Sequence, residues 1–180
     1  MKGEMIAVKN CVRGLALLLV CLLTVSGCGG RTPPDYLAFQ KEDFSAEVEG
    51  RIGGRAFGAK ITVEPVGALR RVTVLYLSSA ALEGVQITAL CNAEGVPEGD
   101  AEITYGEMTL IQDAATVCGL LSPALQLLAL SEIATVQREG ESYRLTFSDG
   151  AILVLDTAGN PRSLATQEID LDIVWRETKR

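Results

Sequence analysis

The chain has 180 residues, 48% of them apolar and only 5% aromatic, which suits one domain with a core of Val, Ile, Leu and Ala. Its formal charge is −7 with no basic patch, and this excludes nucleic acid as a partner, because phosphate binding needs grouped Lys and Arg. It contains no histidine, so the commonest general base and the commonest zinc ligand are both missing, and the composition points away from an enzyme, a metal site or a cofactor.

The amino terminus reads as an address. Lys2, Lys9 and Arg13 stand against Glu4 and precede LALLLVCLLTV, residues 15 to 25, a positive region followed by a short apolar one. That run is shorter than the ~20 residues a membrane span needs, so residues 1–27 are expected to be a removable signal. Val25, Ser26 and Gly27 then lead into Cys28, and this VSGC resembles the lipobox of bacterial lipoproteins, with Val25 where Leu is usual. The resemblance implies that the Cys28 thiol carries a diacylglycerol and that the chain is cut just before it. Small residues admit the backbone to a peptidase site, and two acyl chains anchor stably where one is marginal. The bland alternative is an ordinary signal with an incidental cysteine. Residues 28–40 are then a lipidated flexible tether and residues 41–180 a single domain on the extracytoplasmic face of a membrane.

Loss of Lys2, Lys9 and Arg13 with Glu4 takes the charge from −7 to about −9, which holds the domain away from anionic headgroups. It also leaves Cys91 and Cys118 as a pair. In an oxidising compartment a structural disulfide is expected of them; two buried thiols that never meet are the alternative.

From Phe44 the chain alternates with period two. Phe44, Ala46, Val48 and Ile52 face one way and Ser45, Glu47, Glu49 and Arg51 the other, and after Gly53-Gly54 the alternation resumes through Phe57, Ala59, Ile61 and Val63. This is a hairpin with one wet face; RIGGRAFG lacks the pattern of a phosphate loop. RRVTVLYL (70–77), apolar on both faces, and VQITALC (85–91) predict two more strands, the first covered on both sides. Residues 92–101 read as a loop and 102–111 as a further strand or pair. In DAATVCGLLSPALQLLALSE, Ser122-Pro123 reads as an N-cap and first-turn proline, with a short turn or helix over 114–120 before it and an apolar helix after it. Strands resume at 133–139, at SYRLTFS with Tyr143, Leu145 and Phe147 facing the core, and at AILVLD beyond the Asp149-Gly150 turn. A last strand is expected over 162–176, with Ile169, Leu171, Ile173 and Trp175 on one face and Asp170 and Asp172 on the other. The fold class is α+β: a curved antiparallel sheet of about eight or nine strands, an unclosed half-barrel, with a short apolar helix on its concave face.

Polar candidates have bland readings. Asp149, Asp156, Asp170 and Asp172 offer carboxylates for calcium or acid/base work, but they fit a solvated face. Ser122 fits a cap better than a nucleophile, and Lys60, Arg70 and Arg71 fit strand-edge charges. The helix is more informative. Leu125, Leu127, Leu128 and Leu130 either line a groove for an acyl chain or plug the half-barrel as its core.

The order FSAEVEGRI, AKITVEP, RRVTVLYL, LLSPALQLLAL and YRLTFSDGAILVLDTAGNPRSLATQEIDLDIVW resembles the LolA/LolB/LppX-like lipoproteins, most of all in the LDTAGNPRSL turn. The resemblance covers most of residues 40–176 and rests on layout and turns. It implies an unclosed β-barrel whose helix-capped concave face holds lipid or lipoprotein acyl chains, although this chain has less helical lid than carriers of that family. The function expected is non-catalytic binding of a lipid or acyl chain by a membrane-anchored lipoprotein. The alternative is an adaptor lipoprotein that recruits another envelope protein, and a carboxylate-based hydrolase is a third reading.

Overall fold

A computed structural model describes residues 35–130 and 132–176. The signal segment, Val25, Ser26, Gly27 and Cys28 lie outside the described residues. Eleven antiparallel strands form one unclosed sheet: β1 Phe44–Ile52, β2 Arg55–Val66, β3 Leu69–Ser78, β4 Val85–Cys91, β5 Pro97–Tyr105, β6 Met108–Asp113, β7 Ile133–Glu139, β8 Ser142–Phe147, β9 Ile152–Asp156, β10 Pro161–Ala165 and β11 Ile169–Arg176. Their order across the sheet is β6-β5-β4-β3-β2-β1-β11-β10-β9-β8-β7. Every hairpin is therefore local except the pairing of β1 with β11, which joins the two halves at the middle. The edges, β6 and β7, are bridged in sequence by the one α-helix among the described residues, α1, Cys118–Leu128.

The strand count exceeds the eight or nine expected because two turns each divide a segment. Gly106, with φ 59°, turns the chain so that Tyr105 pairs with Met108, and the expected strand or pair over 102–111 is the pair β5 and β6. Thr166 breaks the anticipated last strand: its Oγ1 accepts from the N–H groups of Glu168 (3.2 Å) and Ile169 (3.1 Å), folding residues 166–168 into a turn between β10 and β11. Asn92 shortens the anticipated 92–101 loop, because its Oδ1 accepts from the N–H groups of Glu94 (3.1 Å) and Val96 (2.9 Å), and β5 begins at Pro97. Proline is tolerated there because Pro97 is the first residue of β5, and Gly99, with φ 69°, falls where the register with β4 shifts between Ala89 and Leu90.

The first hairpin forms as its glycines dictate. Gly53 and Gly54 take φ values of 54° and 79°, and Ile52 pairs with Arg55 across the turn. Phe44, Ala46 and Val48 of β1 and Phe57, Ala59, Ile61 and Val63 of β2 are buried on one face of the sheet, as are Val72, Val74 and Tyr76 of β3, Leu145 and Phe147 of β8 and Ile169, Leu171 and Ile173 of β11. β3 is central but not covered on both sides: on its outer face Leu77 is 48% exposed.

The folded unit takes up the chain earlier than the expected boundary at residue 41. A 3-10 helix spans Ala38–Lys41 with Phe39 buried beside Phe44, and the Tyr36 ring lies 5.4 Å from that of Tyr143. Residues 36–40 are thus part of the domain rather than of a free tether, because two aromatic rings there gain apolar neighbours.

Candidate functional site

α1 packs against the buried face of the sheet, with Leu121, Pro123, Ala124, Leu127 and Leu128 buried. It is one helix, not two pieces: Val117 occupies the N-cap position without a side-chain cap, Ser122 is its fifth residue and Pro123 its sixth. An interior proline costs a helix roughly 3 kcal/mol and removes the N–H that would reach the Gly119 carbonyl. Burial of four neighbouring apolar side chains outweighs that local preference, and tertiary packing decides helix stability in short segments.

Both ends of α1 are fastened. The Tyr76 hydroxyl donates to the Leu120 carbonyl at 2.9 Å, and Gln40 Nε2 donates to the carbonyls of Leu127 (2.9 Å) and Leu128 (3.3 Å), two groups a helix end leaves without helical partners. Gly95, with φ 76°, comes close enough to the last turn that an added Cβ would sit 3.2 Å from that of Leu128. Burial pushes the Tyr76 hydroxyl up to about 12.

The leucines expected either to line a groove or to plug the half-barrel divide into two pairs. Leu127 and Leu128 are buried in the core, while Leu125 and Leu130 are partly buried against it. Open space lies at the N-terminal end of α1. There a cleft of about 840 Å³ is bounded by Ile52, Ala56, Phe57, Tyr76 and Leu82 from the sheet side and by Gly119 and Leu120 of α1, with Ser79, Ala80 and Ala81 of the β3–β4 loop along its rim. It falls within the 300–1,000 Å³ range common for small-ligand sites. Arg55 is the one charged residue among its lining. The sequence carried a sign of this cleft in SSAA at 78–81, a run of small residues after a strand that ends against the helix.

Cys91 and Cys118 are both free, so the expected disulfide is absent. Cys91 closes β4 just before the loop that packs under Leu128, whereas Cys118 begins α1. The rise of the helix alone separates these ends by roughly 15 Å, about twice the ~7 Å Cα separation a disulfide tolerates. Burial first, and the Glu98 charge second, push the Cys91 thiol up to about 11, which leaves it unreactive.

The other polar candidates are dispersed. Asp149 accepts from the Ala151 N–H within its own turn. Asp156 holds the β9–β10 turn, its Oδ1 accepting from the N–H groups of Ala158 and Asn160 (both 2.9 Å) and its Oδ2 from Arg162 at 2.9 Å. Burial alone would raise the Asp156 pKa, but these bonds and the Arg162 charge outweigh it and hold the carboxyl below its ordinary value. Asp170 and Asp172 do share the outer face with Glu49, around a shallow recess of about 630 Å³ that also touches Arg51. Among the described residues no group of carboxylates and thiols is arranged to hold a metal ion. Arg70 and Arg71, consecutive on a strand, face opposite ways; Arg71 lies 3.7 Å from Glu64, and Lys60 is opposite Glu47 on β1.

No protein-family model matches the chain, and no curated protein matches it. Among solved structures it is similar to an uncharacterized conserved protein from Thermus thermophilus, with a TM-score of 0.51, 16% identity, and coverage of 81% of this chain and 85% of that one. A DUF1329 family protein from Desulfovibrio piger aligns at a TM-score of 0.41 and 9% identity over 74% of this chain and 71% of that one. The Thermus protein and this chain share a fold at an identity too low to carry anything further.

Proposed function

We propose that this protein is a lipid-anchored, extracytoplasmic lipoprotein that binds an acyl chain or similar apolar ligand without transforming it, in the cleft at the N-terminal end of α1. The observation that carries the reading is the cleft itself: about 840 Å³, lined mainly by Ile, Ala, Phe, Tyr and Leu. Support also comes from the lipobox-like VSGC, since lipidation there would hold a ligand-binding domain beside a lipid source, and from the resemblance of the strand-and-helix layout to LolA/LolB/LppX-like carriers. Relative to a fully open half-barrel the ligand space is moved and reduced, because the leucines of α1 occupy the rest. A non-catalytic role fits a chain without histidine.

The test is native mass spectrometry of the full-length chain, released from detergent micelles after exposure to a bacterial lipid extract. A noncovalent added mass in the lipid range is expected on the wild type. It should be lost from Ala80→Trp and Gly119→Trp, which fill the cleft from its loop side and its helix side at exposed positions, a Cβ at Gly119 meeting no neighbour, and should leave the unfolding midpoint unchanged. A clean mass under every lipid condition, or an adduct indifferent to both substitutions, overturns the reading.

A further inference from the structure

From Val72 to Gln137 the chain holds eight carboxylates, Glu83, Glu94, Glu98, Asp100, Glu102, Glu107, Asp113 and Glu132, and no Lys or Arg. This stretch covers β3 from Val72, then β4, β5, β6 and α1, and ends in β7, so β4, β5 and β6 carry acids and no Lys or Arg; the cation beside them is Arg71 of β3, which shares a recess with Asp100, Glu102 and Ile111 and lies 3.7 Å from Glu64. β6 is the outermost strand at that end, and every residue in it is exposed. It pairs with β5 in unbroken register from Tyr105↔Met108 to Asp100↔Asp113, so no bulge turns the edge away. It also carries no Lys or Pro, the residues that commonly blunt an open edge.

The side chains of this edge are sorted. Met108 and Leu110, 67% and 53% exposed, belong to the concave side, opposite Tyr105 and Ile103, beyond the reach of α1. Ile111, 55% exposed, belongs to the outer side with Asp100, Glu102 and Asp113. Asp100 and Asp113 stand directly across from each other, a like-charge pairing that weakens a ladder. None of these three acids forms an ion pair with a described Lys or Arg.

We propose that β6 is a docking edge for an extended, basic segment of another protein, which adds antiparallel or parallel to β6 as a twelfth strand with apolar residues over Met108 and Leu110 and Lys or Arg over Ile111. Backbone pairing along the open edge supplies affinity, and alternate side chains supply selectivity. The aliphatic stems of the basic residues cover Ile111 while their heads reach Glu102 and Asp113, relieving the Asp100–Asp113 repulsion. The same acids disfavour a second copy of this chain, whose own β6 would bring carboxylates against carboxylates. The inference is independent of the cleft, which lies at the end of α1 beside β1, β2 and β3.

The probe is a fluorescein-labelled nine-residue peptide alternating Val and Lys, titrated by anisotropy into the full-length chain in detergent, with amide exchange followed over residues 108–113. Binding is expected, with slowing of that exchange by at least tenfold. Affinity should fall at least tenfold in Leu110→Lys, an exposed position whose substitution leaves the circular dichroism unchanged, and should weaken in Glu102→Gln and with added salt. A Val–Glu peptide should not bind, nor should a Val–Lys peptide with two central prolines. No binding, equal binding of the proline peptide, or binding without protection of 108–113 overturns the proposal. So does sedimentation showing a homodimer lost in Leu110→Lys, since a second copy would then own the edge. Ala80→Trp should leave peptide binding intact, so failure here is distinct from failure of the lipid test.

Discussion

The hydroxyl of Tyr76, on a central strand, donates to the main-chain carbonyl of Leu120, in the first turn of α1, at 2.9 Å. Tyr76 is buried, so this bond ties the helix start to the sheet within the apolar core and sets the inner wall of the cleft. Tyr76→Phe keeps the ring against Phe57 but leaves that carbonyl with one donor fewer; the expected loss is about 0.5–1.5 kcal/mol in urea unfolding. The pH dependence separates this from a packing effect. A folded pKa of about 12 against an ordinary 10.0 means that the neutral hydroxyl's contribution is fully present below pH 10 and is lost as the pH rises toward 12. Wild type should therefore lose more stability than Tyr76→Phe between pH 9.5 and 11.5, a window chosen around those values. Parallel pH curves would refute the assignment.

Leu127 and Leu125 sit two residues apart on α1 with opposite fates, one buried and one partly exposed. Leu127→Ala opens a cavity beneath the helix and should cost about 2–5 kcal/mol, with Leu125→Ala costing distinctly less. Equal, small losses in chemical denaturation would mean that α1 lifts from the sheet and that the groove is open.

Thiol chemistry tests the separation of Cys91 and Cys118. In native protein, iodoacetamide should modify Cys118, which is exposed, and spare Cys91, which is buried with its pKa raised to about 11. After denaturation without reductant both should be modified, as read by peptide mass mapping. Protection of both in denaturant would reveal a bond between them.

Asp156 and Asn160 test the turn that links β9 to β10. Asp156→Ala removes acceptors for two backbone N–H groups and for Arg162, and should cost about 1–2 kcal/mol. With its folded pKa depressed below the ordinary 3.8, the Asp156 contribution is present above that value and lost as the pH falls through the folded one. The stability gap between wild type and Asp156→Ala should accordingly narrow below about pH 4; a gap constant down to pH 2 would show that the charge is irrelevant.

The half-buried strands were legible because their chemistry is local: period-two alternation at Phe44–Val48 and turn residues at Gly53-Gly54, Asp149-Gly150 and Asn160-Pro161 each state their conformation within a few residues. The division of the last strand escaped because one side chain, Thr166, makes a turn inside a segment whose alternation suggested a single strand, and the early start of β5 escaped because Asn92 closes a tight turn inside a segment whose composition suggested one long loop. Pro123 misled for the opposite reason: its local preference for a helix start is real, but burial of its neighbours overrode it.

The sequence by itself determined the antiparallel, one-sided sheet, the apolar helix and the address-like amino terminus, since each rests on periodicity or composition within a short window. Only the tertiary structure decided that Leu127 and Leu128 are the leucines buried beneath the helix, that Cys91 at the end of β4 and Cys118 at the start of α1 stay unbonded, and that a cleft opens beside Gly119. Those outcomes depend on residues far apart in the chain, such as Gln40 with Leu127 and Tyr76 with Leu120, whose meeting is fixed by the packing of the helix on the sheet and by no pattern along the chain.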